Sequence, residues 1–194
     1  MTSKEQILNS IRMNNVVVDT ELPTYSNFGT KYENPYEQFS TMLESVGGKA
    51  LFIKKEELDK TIGELYPDEK QIASNVEGFN LGNFLANEQD DAHNLENIDL
   101  AVVKGEFAIA ENGAVWLKNS ENRHRSLYFI AQNIVIVVQK EDIVNNMHEA
   151  YEQISFENSS YGVFVSGPSK TADIEQSLVI GAHGPKSGYV IFVD

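Results

Sequence analysis

The run Asn133–Gln139 (Asn-Ile-Val-Ile-Val-Val-Gln) shows no alternation of apolar and polar side chains. A strand with one wet face alternates; a strand apolar throughout must be covered on both faces. This one segment points to an α/β domain: a mostly parallel sheet in the middle of three layers, α/β/α.

The rest of the chain fits that frame. Lys49–Ile53, Gln71–Asn75, Ile98–Val103, residues 162–166 and Gly188–Val193 read as strands. Asn34-Pro35 starts a helix, since Asn caps and Pro suits the first helical position. Its stripe is Phe39, Met42, Leu43 and Val46, and Gly47-Gly48 ends it. Further helices are expected over Glu56–Leu65 and Glu141–Ile154, so strand and helix alternate and a parallel crossover follows. Residues 1–15 read as an amphipathic helix with a Ser3/Gln6 capping box and Ile7, Leu8 and Ile11 on one face. Residues 15–33 read as an irregular arm across the body or toward a neighbour, and 76–96 as a polar loop region. The division expected is an N-terminal helix and arm over 1–33 and a single domain over 34–194.

Composition narrows the function classes. With 41% hydrophobic residues a packed core is expected. The sequence has no cysteine, which excludes disulfides, a thiolate nucleophile and cysteine-held zinc or iron–sulfur sites in this chain. A net charge of −14 makes nucleic acid and anionic membranes poor partners. No apolar run approaches the roughly 20 residues of a membrane helix, and no signal peptide is evident, so the cytoplasm is the default compartment. Against this acidity, Lys118, Arg123, Arg125, Lys170 and Lys186 lie in or near glycine-containing turns. A local cationic pocket and ordinary solvated charge both fit that placement.

Four places could carry chemistry. In Ser166–Glu175 a strand meets a tight turn of small residues, and a short helix is expected after Thr171. Ser166, Gly167, Ser169, Lys170 and Thr171 would then aim amides, hydroxyls and an ammonium at one anion; Asp173 and Glu175 fit the first helical turns, and helix capping alone explains much of the pattern. Neither a Walker loop nor a dinucleotide fingerprint is present. His183, before Gly184, is either a ligand contact or a loop histidine satisfied by backbone groups. His93, His124 and His148 stand at no metal-ligand spacing, and no metal is expected. Glu111-Asn112-Gly113 places a carboxylate on a turn, as base or nucleophile or as an ordinary hairpin. Arg123-His124-Arg125 offers forks for a carboxylate or phosphate, or solvated surface charge.

Ser-Gly-Pro-Ser-Lys-Thr-Ala-Asp-Ile-Glu (166–175), then Leu-Val-Ile-Gly-Ala-His-Gly-Pro (178–185), resembles the signature of the lactate-utilization (LUD) domain family, with its small C-type subunit as the most similar form. Ala110-Glu111-Asn112-Gly113 resembles its small acidic turn, with Asn112 where Thr or Ser is common. The resemblance implies a fold similar to ribose-5-phosphate isomerase, glucosamine-6-phosphate deaminase and CoA transferases. It also implies work with iron–sulfur partner subunits in oxidising L-lactate to pyruvate, the clusters residing in the partners and no cofactor in this chain. Glu111 and Asp173 become candidate catalytic carboxylates. Asn112, Gly113, Arg125, Ser166, Gly167, Ser169, Lys170, Thr171, Glu175, His183 and Gly184 become candidate contacts to a small anionic ligand. A second copy of the chain is a further candidate partner. Glu-Asn-Gly also resembles the turn bearing the glutamate nucleophile of some CoA transferases, which opens the alternative of a free-standing acyl-transferase or sugar-phosphate enzyme using Glu111.

Overall fold

A computed structural model of the chain describes residues 2–14, 28–119, 122–155, 161–174 and 177–194, the side chains of 172–178 excepted. Its centre is a five-stranded, wholly parallel sheet. In chain order the strands are β1 (Lys49–Ile53), β2 (Ile72–Ser74), β3 (Leu100–Lys104), β6 (Asn133–Gln139) and β11 (Ser187–Val193), and in space β1-β11-β6-β3-β2. β6 pairs with β11 from Asn133↔Ser187 to Gln139↔Val193, and with β3 on its other side.

The unbroken apolar run is explained by what covers it. Val135 and Val137 of β6 face Leu58 and Ile62 of helix α3 (Leu58–Leu65), together with Leu100, Val102, Ile191 and Val193. Ile134, Ile136 and Val138 face the opposite core, with Phe39 and Leu43 of helix α2 (Pro35–Ser45) and Leu127 and Tyr128 of the short helix α4 (Leu127–Ile130). α2 begins as expected: Asn34 Oδ1 accepts from the Glu37 amide at 3.3 Å, and Pro35 is first in the helix.

The layer opposite α3 is more than helical. β4 (Phe107–Ile109), β5 (Ala114–Lys118), β7 (Ile143–Val144) and β8 (Gly162–Val165) form a second sheet, ordered β7-β4-β5-β8. Its inner residues Ala108, Val115 and Leu117 join the α2 core. Its outer residues Phe107, Ile109 and Trp116 pack on Ala150 of helix α5 (Met147–Gln153).

Three local expectations are corrected. The helix expected over Glu141–Ile154 is β7 followed by α5. Ile143 pairs with Ala108, and Asn146 starts the helix by accepting from the Glu149 amide at 3.1 Å. The helix expected after Thr171 is strand β9 (Lys170–Ile174), paired antiparallel with β10 (Ser177–Ile180). Pairing with 177–180 gives the backbone partners that a cap pattern would have given, and Thr171, Ile174, Val179 and Ile180 favour extended backbone. In helix α1 (Ser3–Asn14) the capping box sits one residue early: Glu5 Oε2 accepts from the Thr2 amide at 2.7 Å, and Thr2 Oγ1 from the Glu5 amide at 3.4 Å. None of the residues of α1 is buried, and Ile7, Leu8 and Ile11 are exposed. Of the expected arm, residues 28–33 cross the start of α5, where Thr30 O accepts from Asn146 Nδ2 at 3.1 Å and Asn145 Oδ1 accepts from the Tyr32 amide at 3.0 Å. The remainder, 15–27, lies outside the described residues.

A chain of hydrogen bonds ties the end of α3 to the sheet. The Tyr66 hydroxyl lies 2.6 Å from Ser187 Oγ, Ser187 Oγ donates to Asn133 Oδ1 at 2.8 Å, and Asn133 Nδ2 donates to Glu69 Oε1 at 2.7 Å. Burial, against the opposing Ser187 hydrogen bond, pushes the Tyr66 phenol from 10.0 up to about 12. A group raised in the folded state contributes stability that is complete below its unfolded pKa and lost as pH rises through its folded one. Stability is therefore expected to fall between about pH 10 and 12; two pKa units set a ceiling of about 2.7 kcal/mol, and solvent screening of the half-buried Tyr66 lowers the expected loss to about 1–2 kcal/mol. Tyr66→Phe should remove that phase from urea midpoints measured against pH; an unchanged alkaline slope would count against it.

Candidate functional site

The glycine turns converge at one place. Gly113 closes the β4–β5 hairpin with φ +65°, donating its amide to Ile109 O at 3.0 Å. Asn112 Oδ1 accepts from the Ala114 amide at 3.0 Å, and Asn112 O accepts from Ser166 Oγ at 3.1 Å. Gly167 turns after β8 with φ +70°. A Cβ on Gly188, the second residue of β11, would lie 3.1 Å from Gly167 C, and one on Gly48 would lie 3.1 Å from Gly167 Cα. Backbone thus packs on backbone where β1 and β11 begin, and Pro168 is buried there.

At the centre of the turn, the backbone groups of Ser169 are spent internally rather than on an anion. Ser169 N–H donates to Pro185 O at 2.9 Å, and Gly181 N–H to Ser169 O at 3.0 Å. Gly184 lies against the Ser169 side chain, a Cβ there falling 2.9 Å from Ser169 Cβ. Asn112, Gly113, Ser166, Gly167, Ser169 and Gly184 are therefore brought together as a packed junction between the two sheets. The helix N-terminus that was to hold a ligand here is absent, because 170–174 is a strand. Lys170 and His183 are exposed, and Thr171 is half-buried opposite Val179. The Asp173 side chain and Glu175 lie outside the described residues.

Glu111 has a structural partner. Its exposed Oε2 accepts from the Met147 amide at 2.8 Å, at the first residue of α5, where a helix end favours a carboxylate. Asn146, fully buried, caps the same turn. Nearby, burial raises the Glu149 carboxyl, but two hydrogen bonds from Asn145 and the Lys31 ammonium outweigh it and hold the group below its usual value.

Arg125 belongs to a different place, a cavity of about 410 Å³ shared with Asn119, Arg123, His124, Ser126 and Tyr161. Its guanidinium carbon stands 5.2 Å from the centre of the Tyr161 ring, a cation–π placement. Arg123 Nη2 reaches Asp90 Oδ1 at 3.3 Å, and its amide donates to Asn87 Oδ1 at 2.9 Å. His124 Nε2 lies 2.8 Å from Gln89 O, so that nitrogen carries the proton. Asn119 Oδ1 and Ser126 Oγ are buried without a hydrogen-bond partner among the described residues. An orphaned buried polar atom costs about 1–3 kcal/mol, so two beside one cavity are notable. Arg123 and Arg125 were visible in sequence. Asn119, Ser126 and Tyr161 carried no local signal, and only the pairing of β5 with β8 brings the flanks of Asn119 and Tyr161 together.

Among the described residues no group of three or more His, Asp or Glu could hold a metal ion, and no helix is long and apolar enough to cross a membrane.

A family model described as the LUD domain matches residues 83–193. The chain is similar to lactate utilization protein C of Oceanobacillus iheyensis, at 34% identity over 105 residues, covering 51% of this chain and 45% of that one. It is 32% identical over 155 residues to lactate utilization protein C of Shouchella clausii, covering 71% and 67%, and 32% identical over 114 residues to that of Bacillus subtilis, covering 55% and 47%. The chain thus spans about half the length of most of these curated relatives. A crystal structure of a DUF162 family protein from Deinococcus radiodurans superposes with a TM-score of 0.64 at 20% identity, over 82% of this chain and 96% of that one, which shows a shared fold.

Proposed function

The chain belongs to the LUD domain family, and on that premise we propose that it is an accessory component of a lactate-utilization system, working with iron–sulfur partner proteins in the oxidation of L-lactate to pyruvate. The names of the relatives support the lactate connection. The lack of cysteine supports placing the clusters in partners, since thiolates are their usual ligands. In this reading the chain binds a small carboxylate, and Arg123 and Arg125 hold it.

One observation carries the ligand assignment. On a chain of net charge −14, two arginines line a cavity beside two buried polar atoms that lack partners. Guanidinium forks suit a carboxylate. The junction around Ser169 is assigned to holding the sheets together. The alternative, Glu111 attacking a thioester, has less support because Oε2 is held by the start of α5.

Isothermal titration with lactate and pyruvate tests the ligand half. Arg125→Ala is expected to weaken binding at least about tenfold, the scale of one charge-assisted contact. Equal heats from native protein and variant would overturn the assignment. Affinity purification from cells grown on lactate tests the other half: a cysteine-rich, cluster-absorbing partner should come with the chain, and its absence removes the accessory role.

A further inference from the structure

All five parallel strands end at one cleft. Lys55 follows β1, Asn75 follows β2, Lys104 closes β3, Gln139 closes β6 and Val193 closes β11, around a cavity of about 370 Å³. That volume lies within the range of small-molecule sites, and the carboxyl edge of an open parallel sheet is where such sites form. The cleft shares no lining residue with the Arg125 cavity.

Its shape depends on Gly105. A Cβ there would lie 2.5 Å from Val115 Cγ1, while the Gly105 amide donates to Val137 O at 2.8 Å. The chain can thus turn tightly from β3 into β4, leaving Lys104 and Glu106 on the rim. Asp142 enters from the loop after β6, fixed by its amide donating to Gln139 O at 3.0 Å and its carbonyl accepting from the Ala108 amide at 2.9 Å. Asn75 is oriented by the Lys104 amide, which donates to its Oδ1 at 2.9 Å. The Asn75 backbone amide donates to Val102 O at 3.3 Å, which leaves the side-chain Nδ2 without a hydrogen bond among the described residues.

The charges are mixed and unspent. Lys55 and Lys104 face the cleft with Glu77, Glu106 and Asp142, yet none of these forms an ion pair among the described residues. Burial raises the Asp142 carboxyl above its usual value, Glu141 adds to this and Lys104 opposes it. Leu58, Val137 and Val193 supply an apolar floor.

Such a lining selects by chemistry. Two ammonium groups and a carboxamide attract a carboxylate; three carboxylates and the Gln139 carbonyl repel a bare anion but accept hydroxyl protons. A cation without an acid group would meet the lysines. We propose that this cleft is a binding site for a small hydroxylated carboxylate, its acid group toward Lys104 and Lys55 and its hydroxyls toward Asp142 and Gln139.

The test uses glycerate, which has both groups, against propionate, which lacks hydroxyls, and glycerol, which lacks the acid. Backbone amide shifts of the full chain are followed by NMR. Glycerate should move Lys104, Gly105, Gln139 and Asp142, and neither control should do so at the same concentration. Lys104→Gln should weaken glycerate about tenfold, the scale of one charge-assisted contact. Asp142→Asn should narrow the preference for glycerate over propionate by a similar factor, because repulsion of the bare acid is relieved. Both side chains are on exposed residues, and an unchanged melting temperature confirms folding. Shifts absent from these four amides, equal response to propionate, or indifference to Lys104→Gln each overturn the site.

Discussion

Gly113→Ala is expected to destabilise the fold by about 3–4 kcal/mol, among the larger effects of any single methyl group. Two causes add. At φ +65° an L side chain sits in the left-handed region, which costs about 1–2 kcal/mol. The new Cβ would also lie 2.7 Å from Leu43 N and 3.0 Å from Leu43 Cα. Those are backbone atoms of α2, so relief requires moving a helix whose Phe39 and Leu43 are fully buried. Gly78→Ala separates the causes, since Gly78 has φ +83° and nothing within 4 Å of the Cβ position. It should lose only the conformational part, about 1 kcal/mol. Urea midpoints at constant slope measure both. Equal losses would show that the hairpin does not press on α2.

Phe192→Ala is expected to cost about 4 kcal/mol, as for other buried aromatic truncations. Phe192 is 1% exposed in β11, the strand between β1 and β6. Its ring meets Phe39 edge-on at 5.2 Å and Tyr36 edge-on at 5.9 Å, and stacks on Phe52 at 5.0 Å with planes 5° apart. Removing it leaves a cavity between α2 and the sheet, lined by Phe39, Tyr36 and Phe52. Phe52→Ala is the comparison. That ring is 46% exposed and its loss leaves less void, so about 1 kcal/mol is expected. Denaturant unfolding of both variants decides it; a Phe192→Ala loss no larger than that of Phe52→Ala would mean the cluster is not the keystone between α2 and β11.

The turn around Ser166–Lys170 shows how a correct local pattern can carry a wrong inference. Small residues after a strand, then Ser, Lys, Thr and Asp, read equally as a helix start or as a hairpin arm. Capping hydrogen bonds and ladder hydrogen bonds compete for the same amides, and the winner depends on whether 177–180 lies alongside. Ile143 is similar. Its spacing to Met147 and Ala150 is helical, but Ala108 gives it a strand partner.

Some features were fixed by the sequence alone because their causes are local. Side-chain branching and the missing alternation in Asn133–Gln139 required a strand buried on both faces. Asn34-Pro35 and Gly47-Gly48 bounded α2 through contacts within a few residues, and Asn112-Gly113 required a turn. The tertiary structure alone decided that β4, β5, β7 and β8 form a second sheet, that Glu111 caps α5, and that Arg125 shares a cavity with Tyr161. It alone drew five strand ends around one cleft. The physical reason is range: propensity, capping and turn chemistry act over a few residues, whereas Lys118 opposite Gly162, or Glu111 beside Met147, are contacts that exist only once the chain has closed.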